Sequence, residues 1–233
     1  MRVWEMCGRY VSPDEADIER YWELDRRSNP FAPRFNVAPT TLVPIIVRGE
    51  NGGLELHSAR WGLIPHWWKK DKPPTLTFNA RSEEAAVKPT WRDAYKKWHC
   101  LMPAAGWYEW QEHGTDARGK PLKTPYFVHC EASPIIAFAG LVASWTAPDG
   151  QLIASCALLS KVATPSIEFV HDRMPVVLPP TSFDAWLSPG PVNVTSDLIA
   201  HAREDFIAYP VSNQVNSTRN DSPDLLNRVD VAG

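Results

Sequence analysis

Apolar residues recur at two periods along this chain, and the shorter period dominates. Thr41–Arg48 (TLVPIIVR) reads as a strand, and Leu54–Trp61 (LELHSARW) reads as its hairpin partner across the glycine-bearing turn 49–53. Further extended segments are expected at Thr75–Ala80, Pro125–His129, Ile135–Trp145, Gln151–Ser160, Met174–Leu178 and Ala208–Val211, with Cys100–Trp110 as one strand bent at Gly106. Helical spacing is shorter and rarer. Ala16–Leu24 places Ile18, Tyr21 and Trp22 on one face, with Ser12 as the expected N-cap and Pro13 in the first turn. Glu83–Val87, Thr90–Lys97, Thr181–Leu187 and Ser196–Ala202 are expected as short helices, the second and third capped by Thr90 and Thr181. Strands outnumber helices and no repeat or linker interrupts them. The pattern predicts an α+β fold: a single domain with a mostly antiparallel, barrel-like β-sheet core and peripheral short helices.

Composition narrows this picture in three places. The 22 prolines among 233 residues are about twice the usual share and favour short strands and shaped loops. A net charge of −3 excludes a protein coated in positive charge but leaves room for a local basic surface. The four cysteines, at 7, 100, 130 and 156, form no CxxC pair, so no metal site is expected. With no apolar leader and no run of about 20 apolar residues, the expectation is a cytoplasmic protein with reduced thiols and no membrane contact.

Several residues carry potential chemistry. Met6-Cys7-Gly8-Arg9 places a cysteine directly after a methionine. Once exposed as the first residue, Cys7 would hold an α-amine (pKa roughly 7.7–8.0) and a thiol (about 8.5) on adjacent carbons. The amine can condense with an aldehyde to an imine, and the thiol can close a thiazolidine ring. Taken by itself, the same stretch also reads as a strand start with a small buried hydrophobe. Glu109 lies between Tyr108 and Trp110, and alternation puts it on the opposite face from both. A carboxylate against aromatic surface is expected to have a raised pKa and to act as acid or base, although the local sequence equally suits a solvated carboxylate. His171, in His171-Asp172-Arg173, titrates in the range needed to move protons. Asn79 and Arg81, two apart in an extended segment, face one side and suit a sugar oxygen and a phosphate. Trp67-Trp68-Lys69-Lys70 joins two π-faces to two cations, a composition that serves either single-stranded DNA or core packing.

Read together with Phe35-Asn36-Val37-Ala38-Pro39, Trp61-Gly62-Leu63-Ile64-Pro65, Asn79-Ala80-Arg81-Ser82-Glu83, Gly106-Trp107-Tyr108-Glu109-Trp110 and His171-Asp172-Arg173-Met174-Pro175, the start Cys7-Gly8-Arg9-Tyr10 resembles the SOS-response-associated peptidase family. Its members process abasic sites in DNA. The resemblance runs from Met6 to about Leu226 and implies the same barrel-like fold. It implies Cys7 as nucleophile, Glu109 as proton shuttle, His171 as the group assisting sugar ring opening, and Asn79 at the reacting centre. Arg9, Arg81, Trp67 and Trp68 would contact DNA. The implied partner is single-stranded DNA containing abasic sites, handled by a monomer without cofactor, nucleoid-associated in a bacterium. The implied product is a covalent thiazolidine crosslink, with lyase chemistry and N-terminal self-processing as companions. Two other functions fit parts of the same sequence: a cysteine peptidase acting on other proteins, and a non-catalytic single-strand-binding module. Residues 1–5 are expected to be an extension absent from or removed in the active protein, 6–226 the domain, and 227–233 a polar tail. Asn213 and Gln214 are neutral where the family commonly carries a basic residue.

Overall fold

The computed structural model describes residues 8–24, 31–75, 77–188 and 190–230. In chain order, β1 is Arg9–Ser12, α1 Glu15–Trp22, β2 Arg34–Val37, β3 Leu42–Arg48, β4 Leu54–Trp61 and β5 Asn79–Arg81. Two short helices follow, α2 (Ser82–Ala85) and α3 (Arg92–Lys97), then β6 (His99–Ala104), β7 (Gly106–Thr115), β8 (Pro121–His129), β9 (Ile136–Thr146) and β10 (Leu152–Val162). The last part carries β11 (Arg173–Pro175), β12 (Val177–Leu178), α4 (Phe183–Leu187), α5 (Val192–Ala200) and β13 (Ile207–Pro210).

The expected barrel-like sheet is present. Strands β10, β4, β3, β6 and β9 pair in that order, and β9 pairs back onto β10, closing a five-stranded ring. Every pairing in the ring is antiparallel except β10 with β4. A second, open sheet runs β13-β8-β7-β1-β2.

Strands β6, β9 and β10 are buried on both faces over most of their length, which explains why they read as apolar runs, whereas β4 alternates and exposes His57. Ile45, Met102, Phe138 and Leu158 pack with Tyr10, Trp107 and Val128 of the smaller sheet. Their neighbours Ile46, Leu101, Ala139 and Leu159 pack with Ile18, Trp22, Tyr95 and Trp186 of the helices. No helix among the described residues is long and apolar enough to cross a membrane.

Three local expectations change. The Cys100–Trp110 strand is two strands in different sheets, because the chain leaves the barrel at Ala105 and enters the smaller sheet at Gly106. A Cβ on Gly106 would lie 2.5 Å from both the Phe127 ring and the Val128 carbonyl oxygen, so only hydrogen fits at the crossing. Ser12 ends β1, and Asp14 caps α1 instead, its carboxylate accepting the Asp17 N–H at 2.8 Å. Neither Thr90 nor Thr181 serves as an N-cap; Trp91 and Ser182 occupy those positions without side-chain capping bonds.

Candidate active site

A cleft of about 1290 Å³ is lined by the start of β1, the middle of β7, the β7–β8 hairpin, the end of β4 and the loop before β11. Of the residues singled out from sequence, Arg9, Glu109 and His171 line it. Asn79, Arg81, Trp67 and Trp68 do not, and Cys7 lies outside the described residues.

Glu109 is held by its strand from both sides. Strand β7 runs between β1 and β8, with Arg9 opposite Tyr108 and Tyr126 opposite Glu109. Alternation sends Trp107 into the core shared with the barrel, and sends Tyr108 and Trp110 to the other face. There the Tyr108 hydroxyl donates to the Phe35 carbonyl at 2.8 Å, and the Trp110 indole N–H donates to Asn216 Oδ1 at 2.7 Å. Glu109 shares Trp107's side of the strand and is only 2% exposed, although it lines the cleft. Gly8, one residue before Arg9, lines the same cleft.

His171 closes a tight turn in which the Ile167 and Glu168 N–H groups both donate to the Thr164 carbonyl. Its side chain is 13% exposed. The Arg173 backbone N–H donates to Nδ1 at 3.0 Å, so Nδ1 carries no proton and the neutral ring holds its hydrogen on Nε2. Burial, the largest influence, lowers the pKa below the ordinary histidine value, while the Asp172 carboxylate, 3.1 Å from Nδ1, opposes it.

Arg173 is held in an ion pair: its guanidinium donates to both carboxylate oxygens of Glu83, at 2.6 and 2.9 Å, and to the Ser160 carbonyl at 2.8 Å. The pair clamps the Asn79–Glu83 segment to the His171 loop across the end of β10. Ser160 is the pivot, pairing with Arg81 of β5 on one side and Pro175 of β11 on the other. Ala80 points into the core, which leaves Asn79 and Arg81 together on the other face of β5, as their spacing predicts. The preceding residues, Thr77 and Phe78, reach the cleft wall.

Arg9 has a second role that the sequence did not reveal. Its Nη1 donates to Asn36 Oδ1 and to the Val215 carbonyl, both at 2.9 Å. Asn36 is buried and its Nδ2 donates in turn to the carbonyls of Val215, Ser217 and Asn220. These bonds hold residues 213–220 against β1 and β2, placing Asn216 on the cleft rim. Arg60 was also missed. It lines the cleft and donates to the Gly62 carbonyl at 2.7 Å. Burial lowers its pKa, but an arginine stays charged. Its position directly before the Trp61–Pro65 motif was the available signal. Lys120 and Lys123 complete the cationic lining, Lys123 paired with Glu112 at 2.9 Å.

Among the described residues, no three His, Cys, Asp or Glu side chains gather as a metal site. The described cysteines, Cys100, Cys130 and Cys156, are buried thiols, and burial pushes all three thiol pKa values up.

The family model for SOS response associated peptidase (SRAP) matches residues 6–218. The abasic site processing protein YoqW of Bacillus subtilis is 35% identical over 228 residues, covering 95% of this chain and 99% of that protein. The abasic site processing protein YedK of Escherichia coli is 28% identical and covers 96% and 100%. The abasic site processing protein HMCES of Xenopus tropicalis is 26% identical and covers 95% and 78%. A crystal structure of a protein from Bacteroides thetaiotaomicron shares the fold with a TM-score of 0.81, at 22% identity over 96% of this chain and 99% of that one.

Proposed function

The chain belongs to the SOS response associated peptidase family, and from that premise we propose that it processes abasic sites in single-stranded DNA through a covalent adduct on Cys7. The observation that carries the reading is the cleft itself. A buried carboxylate, Glu109, and a neutral imidazole, His171, face the same space as Gly8, the residue covalently bound to Cys7.

In this reading the ring-opened abasic sugar presents its C1′ aldehyde to the Cys7 α-amine. His171, with its hydrogen on Nε2, donates toward the sugar ring oxygen as the ring opens. Amine addition gives a carbinolamine. Glu109, having taken a proton from the adding amine, returns it to the hydroxyl, water leaves, and an imine remains. Addition of the Cys7 thiol across the imine closes the thiazolidine, so aldehyde and aminothiol become ring plus one water. Arg9 lines the cleft, and Asn79 and Arg81, on the strand that follows the cleft-wall residues Thr77 and Phe78, would reach the sugar oxygen and its phosphate from the cleft edge, with Trp67 and Trp68 holding the strand outside it. The imine stage also permits β-elimination at the 3′ side, which is the lyase branch. Each role is assigned to a side chain of this protein, and the scheme needs no metal or organic cofactor.

Only an α-amine can form the imine, so the residues before Cys7 must be absent in the reacting form. A protein started at Met6, from which a bacterial host removes the methionine, is expected to crosslink an abasic oligonucleotide. A protein that keeps residues 1–6 is not. Intact mass gives the processed fraction, a denaturing gel gives the crosslinked fraction, and the two should track each other. Full crosslinking by protein of verified unprocessed mass overturns the reading. Cys7→Ala in the Met6-start form should give no stable adduct, whereas Cys7→Ser should keep a borohydride-reducible imine.

A further inference from the structure

Outside the cleft, the loop between β4 and β5 meets the end of α3. Trp67 is 38% exposed and Trp98, the residue after α3, is 43% exposed. The two line one shallow depression with Pro65, His66 and Asp93. The His66 and Trp98 rings meet edge to face at 6.1 Å. Lys70 lies over the Trp68 ring at 5.5 Å and Lys97 over the Trp98 ring at 5.9 Å. The backbone beneath is fixed: the Trp68 carbonyl accepts the Trp145 indole N–H at 2.8 Å, and the Trp98 carbonyl accepts the Val142 N–H at 3.0 Å.

The two segments that carry these rings are rich in cations: residues 66–72 and 92–98 hold Lys69, Lys70, Lys72, Arg92, Lys96 and Lys97 against Asp71 and Asp93, on a chain whose net charge is −3, and Arg92 lies 3.6 Å from Asp93. Flat aromatic faces alternating with ammonium groups fit one class of ligand well: a single-stranded nucleic acid, whose bases stack while its phosphates are neutralised. An acidic peptide would use the cations but leave the rings exposed. The strip also continues from the cleft, because Pro73, Pro74 and Thr75 of the same loop line the cleft wall.

We infer that a DNA strand held in the cleft runs on over this strip, and that Lys96, Lys97 and Trp98 form a second nucleic-acid contact outside the reacting centre. The inference rests on the reading that the cleft takes single-stranded DNA. It makes affinity depend on strand length, since only a long strand spans both places.

The test uses the Met6-start protein and undamaged, fluorescently labelled strands of about 6 and about 20 nucleotides, which bracket the usual site size. The wild-type protein should prefer the longer strand. Lys96→Glu with Lys97→Glu should flatten the salt dependence for that strand by about 1.4 in log–log slope, which is about 0.7 for each phosphate no longer neutralised. Trp98→Ala removes a stacking face without changing charge and should weaken the long strand about fivefold or more. In both variants the preference for length should shrink relative to wild type. Thermal melting confirms that each variant is folded, and both sets of changes lie on the surface. If both folded variants keep the wild-type length preference and salt slope, the second contact does not exist. Equal losses on short and long strands also overturn it. Wild-type adduct formation on an abasic strand of about 6 nucleotides reports on the cleft separately. If it is absent, the underlying reading fails and the second contact falls with it.

Discussion

The Asn36 side chain divides two N–H groups among three carbonyls while its oxygen accepts from Arg9. Asn36→Ala would remove this donor from the buried Val215 carbonyl and the part-buried Ser217 and Asn220 carbonyls, and the expected loss is about 1–3 kcal/mol of folding stability, measured by urea denaturation. Glu109 makes a different case. Its Glu109→Gln variant keeps shape but cannot carry a proton, so the rate of adduct formation should fall about 100-fold or more in single-turnover gels. A wild-type rate would remove Glu109 from the proton path. Alternation in the strand was enough to assign Glu109 a face different from Tyr108 and Trp110. It could not show that Arg173 is bound to Glu83, because those residues are far apart in sequence and meet only through β10. Arg9 was legible as a cation close to Cys7 in sequence, whereas its bond to Asn36 needed the pairing of β1 with β2.

Among the elements, the passage from β6 to β7 sets the position of the cleft. The chain changes sheets within Ala104–Gly106, and the change brings Glu109 out of the barrel wall into the sheet that carries β1. A methyl group at Gly106 would meet the Val128 carbonyl oxygen, which belongs to a paired strand and has little room to retreat. Gly106→Ala should therefore cost about 1–3 kcal/mol, visible in thermal or urea melts. A change of less than a few tenths would mean that β8 yields easily. The sequence located most strands, because apolar runs bounded by Gly and Pro survive any tertiary context. It merged β6 with β7 because the apolar run from Cys100 to Tyr108 crosses from one to the other without a polar break, and local pattern carries no sign of a change of sheet. It placed the cap of α1 two residues early, on Ser12 for Asp14, because both side chains can cap and only the extent of β1 decides between them. It ended the expected strand at Trp110, although β7 extends to Thr115, since the charged hairpin arm lacks apolar alternation.

For the molecule as a whole, several titrating groups push stability the same way with pH. Burial lowers the pKa of His99 and His171, so the unfolded chain takes up protons that the folded protein refuses once pH falls below about 6.5. His99 is enclosed between the Tyr95 and Trp186 carbonyls, 2.8 and 2.9 Å from its ring nitrogens, and is stacked on the Trp186 ring. Further down, the Arg173 guanidinium lowers the pKa of Glu83, and that of Arg203 holds Asp205 at about 2. Their stabilisation is present above the ordinary carboxylate range and lost as pH falls through the folded values. The melting temperature should thus decline on acidification from about pH 7, beginning with the histidines. A melting temperature that rises between about pH 7 and 5 would contradict this. The bonds from Arg9 to Val215 and Asn216 have a consequence for the order in which the protein is made. Partners 207 positions apart are separated by roughly 10–40 s of synthesis, at about 5–20 residues per second. While the ribosome is still adding that stretch, the first strand has emerged without the segment that braces it. Completion of the cleft rim at Asn216 therefore waits on that synthesis, and a nascent chain displays its beginning long before it owns a finished cleft.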